Sequence, residues 1–200
     1  MSIRKALSGY RNEITESRTL LVKLAAVPAL NPKEQDFLYN AVFLKTFVAW
    51  EKFLESTVIA YLLNKRGVNG IRAAKYARPV NEEHAGKMLI GTQKYVDWAN
   101  QEIVSRLARI YFVNGEPFAS AFAGIYTDLV DLRTIRNSIA HISTSTSQPL
   151  DALASRLLAR TIAGATPKQI LLAQVAGTAT THFERYLALL DSAANVISNP

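Results

Sequence analysis

One long run of sequence decides most of what this chain can fold into. "NPKEQDFLYNAVFLKTFVAWEKFLESTVIAYLLNK", residues 31 to 65, opens with helix-starting chemistry and then keeps apolar periodicity to its end. Asn31 can cap a helix and Glu34 can reach back to the cap, while Pro32 suits the first helical position, where its missing N–H is not needed. Phe37, Val42, Leu44, Phe47, Val48, Phe53, Leu54, Val58 and Leu62 then lay out a broad apolar face at helical spacing. The central "AVFLKTFVAWEKFLESTVIAYLL" is long enough to cross a bilayer. Lys45, Glu51, Lys52 and Glu55 interrupt it, so it reads as a buried amphipathic helix.

The rest of the chain also reads as helices. Residues 3 to 25 place Ile3, Leu7, Tyr10, Ile14, Leu21 and Leu24 at mixed three and four spacings. "AVPALNPKE" breaks the chain before the long helix restarts it. "NKRGVNGIRAAKYARPVNEEH" reads as a loop, after which Asn81 caps a short helix over residues 82 to 90. A helix over 92 to 112 follows, then a turn at "VNGEP", and Pro117 opens the next helix. "STSTSQP" ends that helix and leads into residues 150 to 163. Thr166 caps a last helix that starts at Pro167 and runs to about Val196. "RIYFVNG" has some strand character but continues a helical pattern, and no sustained alternation or Asn-Gly hairpin stands between β-branched runs. Short links between long helices imply an all-α, antiparallel up-and-down bundle of about five to seven helices. We read one domain over residues 1–200, with an N-terminal helix in 1–30 packing on a core of 31–196.

Composition narrows the function. Hydrophobic residues make up 49% of the chain, with 8 Phe, 8 Tyr and 2 Trp, which is ample for a core. There are 0 Cys, so disulfides, thiolate metal sites and a cysteine nucleophile are excluded. "MSIRKALSGYRNE" lacks the apolar core of a signal peptide, and a cytoplasmic protein with no membrane partner is expected. The formal net charge of +7 favours polyanionic partners such as RNA or DNA, although a basic surface without a partner would carry the same charge. No glycine-rich phosphate loop, His-Glu-x-x-His site or Gly-x-Ser-x-Gly elbow is present. His84, His141 and His182 stand far apart in sequence, so neither a metal nor another cofactor is expected.

What remains is "RTIRNSIAH", residues 133 to 141, on an otherwise apolar helix. Asn137 and His141 are four apart and share a face, and Arg133 extends the same stripe. Arg136 and His141 are separated by about 140° around the axis and about 7.5 Å along it, so they do not converge on one small target. Leu129, Leu132, Ile135 and Ile139 occupy the adjoining side.

Arg136-Asn137-Ser138-Ile139-Ala140-His141 resembles the R-x4–6-H motif of the HEPN superfamily, in which a polar residue often follows the arginine. The texture of "AVFLKTFVAWEKFLES" is similar to the second helix of several HEPN groups, and the resemblance covers roughly residues 35 to 190. It implies metal-independent RNA cleavage at a dimer interface, leaving a 2′,3′-cyclic phosphate and a 5′-hydroxyl. The residue types suit that chemistry. A histidine that titrates near neutrality can take the proton of the attacking 2′-hydroxyl or give one to the leaving oxygen. A guanidinium can hold the phosphoryl oxygens as charge grows on them, and Asn137 can orient His141 or hold a phosphate oxygen. Acid and base roles want two histidines, so a two-fold homodimer with facing motif helices is expected, with Arg136 of one chain meeting His141 of the other.

Simpler readings stand beside these. His141 could interact with the last carbonyls of its helix. Arg133 and Arg136 could pair with Asp128, Asp131 or another helix. Lys65, Arg66, Arg72, Lys75 and Arg78, with Tyr76 among them, form a run without an acid. That run could guide RNA through phosphate contacts and base stacking, or be a solvated loop. Glu51 and Glu55 could reach the cleft or pair with an arginine. Trp50, Trp98 and the phenylalanines are most simply core or dimer contacts. Three functions follow. The first is an HEPN-type endoribonuclease, such as a toxin with an antitoxin or other regulatory partner, or an antiviral defence effector. The second is a non-catalytic HEPN-like nucleotide- or RNA-binding scaffold, and the third a generic helical structural protein.

Overall fold

The computed structural model describes residues 1–27, 30–141 and 143–200, and only the backbone of Thr144. The described residues are all-α, without a strand beyond two isolated bridges, Lys75 with Phe112 and Gln174 with Thr181. Among the described residues nine α-helices follow in order: α1 Ile3–Ala25, α2 Pro32–Leu62, α3 Glu82–Ile90, α4 Gln101–Tyr111, α5 Phe118–Ala123, α6 Tyr126–Ala140, α7 Thr144–Leu157, α8 Pro167–Leu172 and α9 His182–Ser198. Among the described residues, no helix is long and apolar enough to cross a membrane.

The caps read from sequence are in place. The Asn31 N–H donates to Glu34 Oε2 at 2.9 Å, and Asn31 Oδ1 accepts from the Glu34 N–H at 3.0 Å. Asn81 Oδ1 accepts from the His84 N–H at 2.8 Å, and Thr166 Oγ1 accepts from the Gln169 N–H at 3.2 Å. The break at "AVPALNPKE" includes residues 28 and 29, which lie outside the described residues.

Four boundaries differ from the expected ones, and the count exceeds five to seven because helices read as continuous are cut. Gly91, at φ 57°, ends α3, and helix resumes only after Asn100 caps α4, so 92–100 is not helical. The helix opened by Pro117 stops at Gly124, and α6 starts afresh at Tyr126. "STSTSQP" begins α7 rather than separating two helices. Ser143 stands at the N-cap with its N–H donating to Thr146 Oγ1 at 3.2 Å, and Pro149 is carried inside the helix. The last helix is broken by 173–181. There Gly177 has a φ of 75°, Thr178 Oγ1 donates to the Val175 carbonyl at 3.0 Å, and Thr181 Oγ1 accepts from the Glu184 N–H at 3.2 Å. Threonine hydroxyls give this backbone an alternative to helical hydrogen bonds.

The chain forms two compact units. The first comprises Met1–Asn12, Ala49–Tyr126 and Leu190–Pro200. Its core is aromatic: the Tyr10 ring lies 5.9 Å from Trp50 and 5.4 Å from Phe53, and Phe112 lies 5.5 Å from Phe118. The Tyr61 hydroxyl, buried beside them, donates to the Ile197 carbonyl at 2.6 Å. Burial holds this phenol in its neutral form by raising its pKa.

The second unit comprises Glu13–Val48 and Thr127–Leu189. In its core Phe43 and Phe183 stand 5.9 Å apart, and the buried Thr46 hydroxyl donates to Ser17 Oγ at 2.9 Å. Lys45 bridges Glu13 and Glu16 at 2.9 and 2.5 Å. Phe37 and Val48 do not join the apolar face of α2; they are 72% and 56% exposed. Trp50 is 1% exposed and Trp98 half-buried.

Large-to-small changes in a packed core cost the lost transfer energy plus a cavity. Trp50→Ala is therefore expected to lower the unfolding free energy by about 3–5 kcal/mol in urea titrations. A loss below about 1 kcal/mol would remove this ring from the core.

Candidate functional site at the end of helix α6

The motif helix is held by its buried side. Leu129, Leu132 and Ile135 are sealed, and Asp131 lies on the same side, only 5% exposed. A carboxylate taken out of water needs strong partners. Arg156 on α7 donates to Asp131 Oδ1 at 2.5 Å, and the Tyr186 hydroxyl on α9 donates to Asp131 Oδ2 at 3.3 Å. One turn earlier, Asp128 pairs with Arg185 of α9 at 2.7 Å. The carboxylates that the sequence offered to Arg133 and Arg136 are thus held by Arg156 and Arg185.

Burial pushes the Asp131 carboxyl above the usual carboxylate range, and Arg156 pulls it part of the way back. The hydrogen bond to Asp131 raises the Arg156 guanidinium in turn. His182 begins α9 and is 4% exposed. Among the described residues, neither of its ring nitrogens finds a hydrogen-bond partner. Burial first, then Arg185 and Arg156, lower its pKa, while Asp131 and Asp128 pull the other way. The sequence reading passed over this cluster. Its signal was a carboxylate set among Leu129, Leu132 and Ile135, which has to be paired.

Beyond the anchor, α6 carries Arg133, Arg136 and Asn137 half-buried and ends at Ala140. Arg136 Nη1 donates to Asn137 Oδ1 at 3.3 Å, so the amide oxygen faces the guanidinium rather than the imidazole. His141 lies one residue past the helix and is exposed. Its N–H still donates to the Asn137 carbonyl at 2.9 Å, and its own carbonyl accepts from Thr146 Oγ1 at 2.6 Å. Among the described residues the imidazole has no hydrogen-bond partner, so it donates to none of the last carbonyls of α6. The N–H and the carbonyl of His141 are thus both hydrogen-bonded, while the residue is exposed. Arg133, Arg136, Asn137 and His141 all belong to the second unit.

The basic run belongs to the first unit, and the structure divides it. Arg72, Lys75 and Arg78 line one cavity. Lys65 and Arg66 are exposed outside it, and Arg66 Nη1 donates to the Gly70 carbonyl at 3.1 Å. Tyr76, 65% exposed, does not line the cavity either. Glu55 is exposed and Glu51 half-buried, both in this unit.

The anchor makes a pH-dependent prediction. Removing Arg156 leaves the Asp131 carboxylate buried with Tyr186 as its remaining hydrogen-bond partner, and this raises the Asp131 pKa further. A carboxyl whose folded pKa lies above its unfolded one contributes stability that is full below the unfolded value and lost as pH rises through the folded one. Arg156→Ala should therefore cost more stability, relative to wild type, at about pH 8 than at about pH 5. An equal cost at both values, in paired urea titrations, would show that Asp131 does not depend on Arg156. No family model matches the sequence, and no curated protein and no solved structure matches it significantly.

Proposed function

We propose that the protein is an HEPN-type endoribonuclease, an antiparallel helical bundle that cleaves RNA without a metal and works as a homodimer. The observation that carries this reading is the end of α6. There Arg136 and Asn137 stand on a helix whose buried side is fixed, and His141, next in motif order, lies one residue past its end and is exposed. An exposed imidazole, with no hydrogen-bond partner among the described residues, is free to exchange protons with a substrate.

In the proposed reaction, the ribose 2′-hydroxyl attacks the adjacent phosphorus and the bond to the 5′-oxygen breaks. His141 of one chain accepts the 2′-hydroxyl proton, and His141 of the other donates a proton to the 5′-oxygen. The products are a 2′,3′-cyclic phosphate and a 5′-hydroxyl. Arg136 stabilises the charge that grows on the phosphoryl oxygens. Asn137, which accepts from the Arg136 guanidinium, fixes the direction of that fork. Arg136 lies on α6 and His141 one residue past its end, and facing α6 ends bring Arg136 of one chain to His141 of the other across a two-fold axis. Arg133, on the same helix, belongs to the proposed RNA-binding set, and Lys65, Arg66 and Tyr76 of the first unit are proposed separately as RNA contacts. We further propose a cytoplasmic toxin or antiviral effector, restrained by an antitoxin or another regulatory protein.

Incubation with RNA in EDTA tests the assignment. Wild type should cleave and leave cyclic phosphate ends, while Arg136→Ala and His141→Ala should each lose at least about a hundredfold in rate. Equal cleavage by all three would sink the assigned roles. Absence of cleavage across structured and unstructured RNAs would instead favour the non-catalytic binding form of the fold.

A further inference from the structure

The cavity of the first unit has a chemistry of its own. It is an open groove of about 590 Å³, within the volume range of small-molecule sites. Its lining comprises Leu62, Leu63, Asn64, Arg72, Ala73, Ala74, Lys75, Arg78, Pro79, Val80 and Val113. Three of these residues are cations and none is an acid.

Its walls are pinned. The Tyr76 N–H donates to the Tyr111 carbonyl at 2.9 Å, and the Val113 N–H donates to the Ala74 carbonyl at 3.0 Å. These bonds hold 74–76 against the end of α4 and fix where Lys75 points. Lys75 Nζ donates to the carbonyl of Leu62, the last residue of α2, and Arg72 Nε donates to the Asn64 carbonyl at 3.3 Å. Both contacts are to neutral carbonyls, so neither cancels a charge. Arg78 has no hydrogen-bond or ion-pair partner among the described residues. Burial, together with the Arg78 charge, lowers the Lys75 pKa, as expected of cations crowded without a counter-ion. Val80, at the wall, leaves 84% of its surface in water.

We propose that this cavity is a binding site for a small phosphomonoester, its phosphate held by Arg72, Lys75 and Arg78 and its apolar body resting on Leu63, Pro79 and Val80. Charge count favours a monoester over a nucleic-acid strand. A dianion with three terminal oxygens can engage three cations at one point, whereas a phosphodiester brings one charge and two free oxygens to that point. Apolar walls around a few convergent polar groups are also the usual make-up of a small-ligand pocket. The site is independent of the RNA-cleavage reading, because none of its residues belongs to the motif.

Phenyl phosphate is the probe, titrated into the full-length nitrogen-15-labelled protein and followed by amide NMR. The amides of Leu63, Asn64, Ala73, Ala74, Val80 and Val113 should shift together and saturate with one site. Phenol should leave them unmoved. Arg78→Gln removes a cation without disturbing a fold contact, and it should weaken binding about tenfold. Arg72→Gln should act likewise. Lys75 is left intact because it tethers the end of α2. An oligothymidylate with hydroxyls at both ends, which lacks the 2′-hydroxyl that cleavage requires, separates strand from small molecule. Should it bind these amides tightly while phenyl phosphate does not, the proposal fails in favour of a strand track. Shifts scattered over the surface, or binding indifferent to both arginine changes, would also overturn it.

Discussion

A carboxylate almost sealed from water holds the second unit together. Asp131 cannot stay charged where it lies without Arg156 and Tyr186, and those two residues come from α7 and α9. The pair ties three helices at one point, with Asp128 and Arg185 adding a second tie a turn away. Because a helix advances about 100° per residue, fixing residues 128 to 135 also fixes the phase of 136 and 137. The direction in which Arg136 and Asn137 point is thus decided a turn or two before the motif itself. The energetic weight of the pair is uneven. Arg156 is about half exposed and can return to water, whereas Asp131 cannot, so losing the arginine is the costlier break.

Much of this architecture was legible in the sequence because capping is local chemistry. Asn31 with Glu34, Asn81 with His84 and Thr166 with Gln169 each close within three residues, and the sequence placed all three. Interior breaks were harder to read. "STSTSQP" is as good a helix start as a helix end, and only the Ser143–Thr146 contact decides between them. "AGTATT" looked compatible with a continuing helix, yet its threonine hydroxyls bond the nearby backbone and turn the chain. Asp131 stood out as a carboxylate among apolar neighbours, but which residues pair with it could not be read. Its partners lie 25 and 55 residues downstream, and no local pattern marks them.

Charge in this chain follows two different rules. In the second unit, buried charge is cancelled residue by residue, as at Asp131. In the first, Arg72, Lys75 and Arg78 gather around a cavity with no acid in its lining. A sequence-level count of basic residues merges these cases, since it cannot tell a cation that satisfies a carboxylate from one left without a counter-charge. In the motif, Arg136 donates to the neutral Asn137 amide, and His141 stands exposed past the helix end.

The central claim is that the end of α6 is half of a site and that a second chain supplies the rest. Mixing wild type with His141→Ala chains under conditions that exchange subunits tests it most directly. Each site needs His141 from both chains, so a mixed dimer lacks either the acid or the base. At equal proportions the account predicts about one quarter of the activity of wild type at the same total concentration, because only that fraction of dimers carries both histidines. A mixture that exchanges subunits and keeps about half of the activity would contradict it.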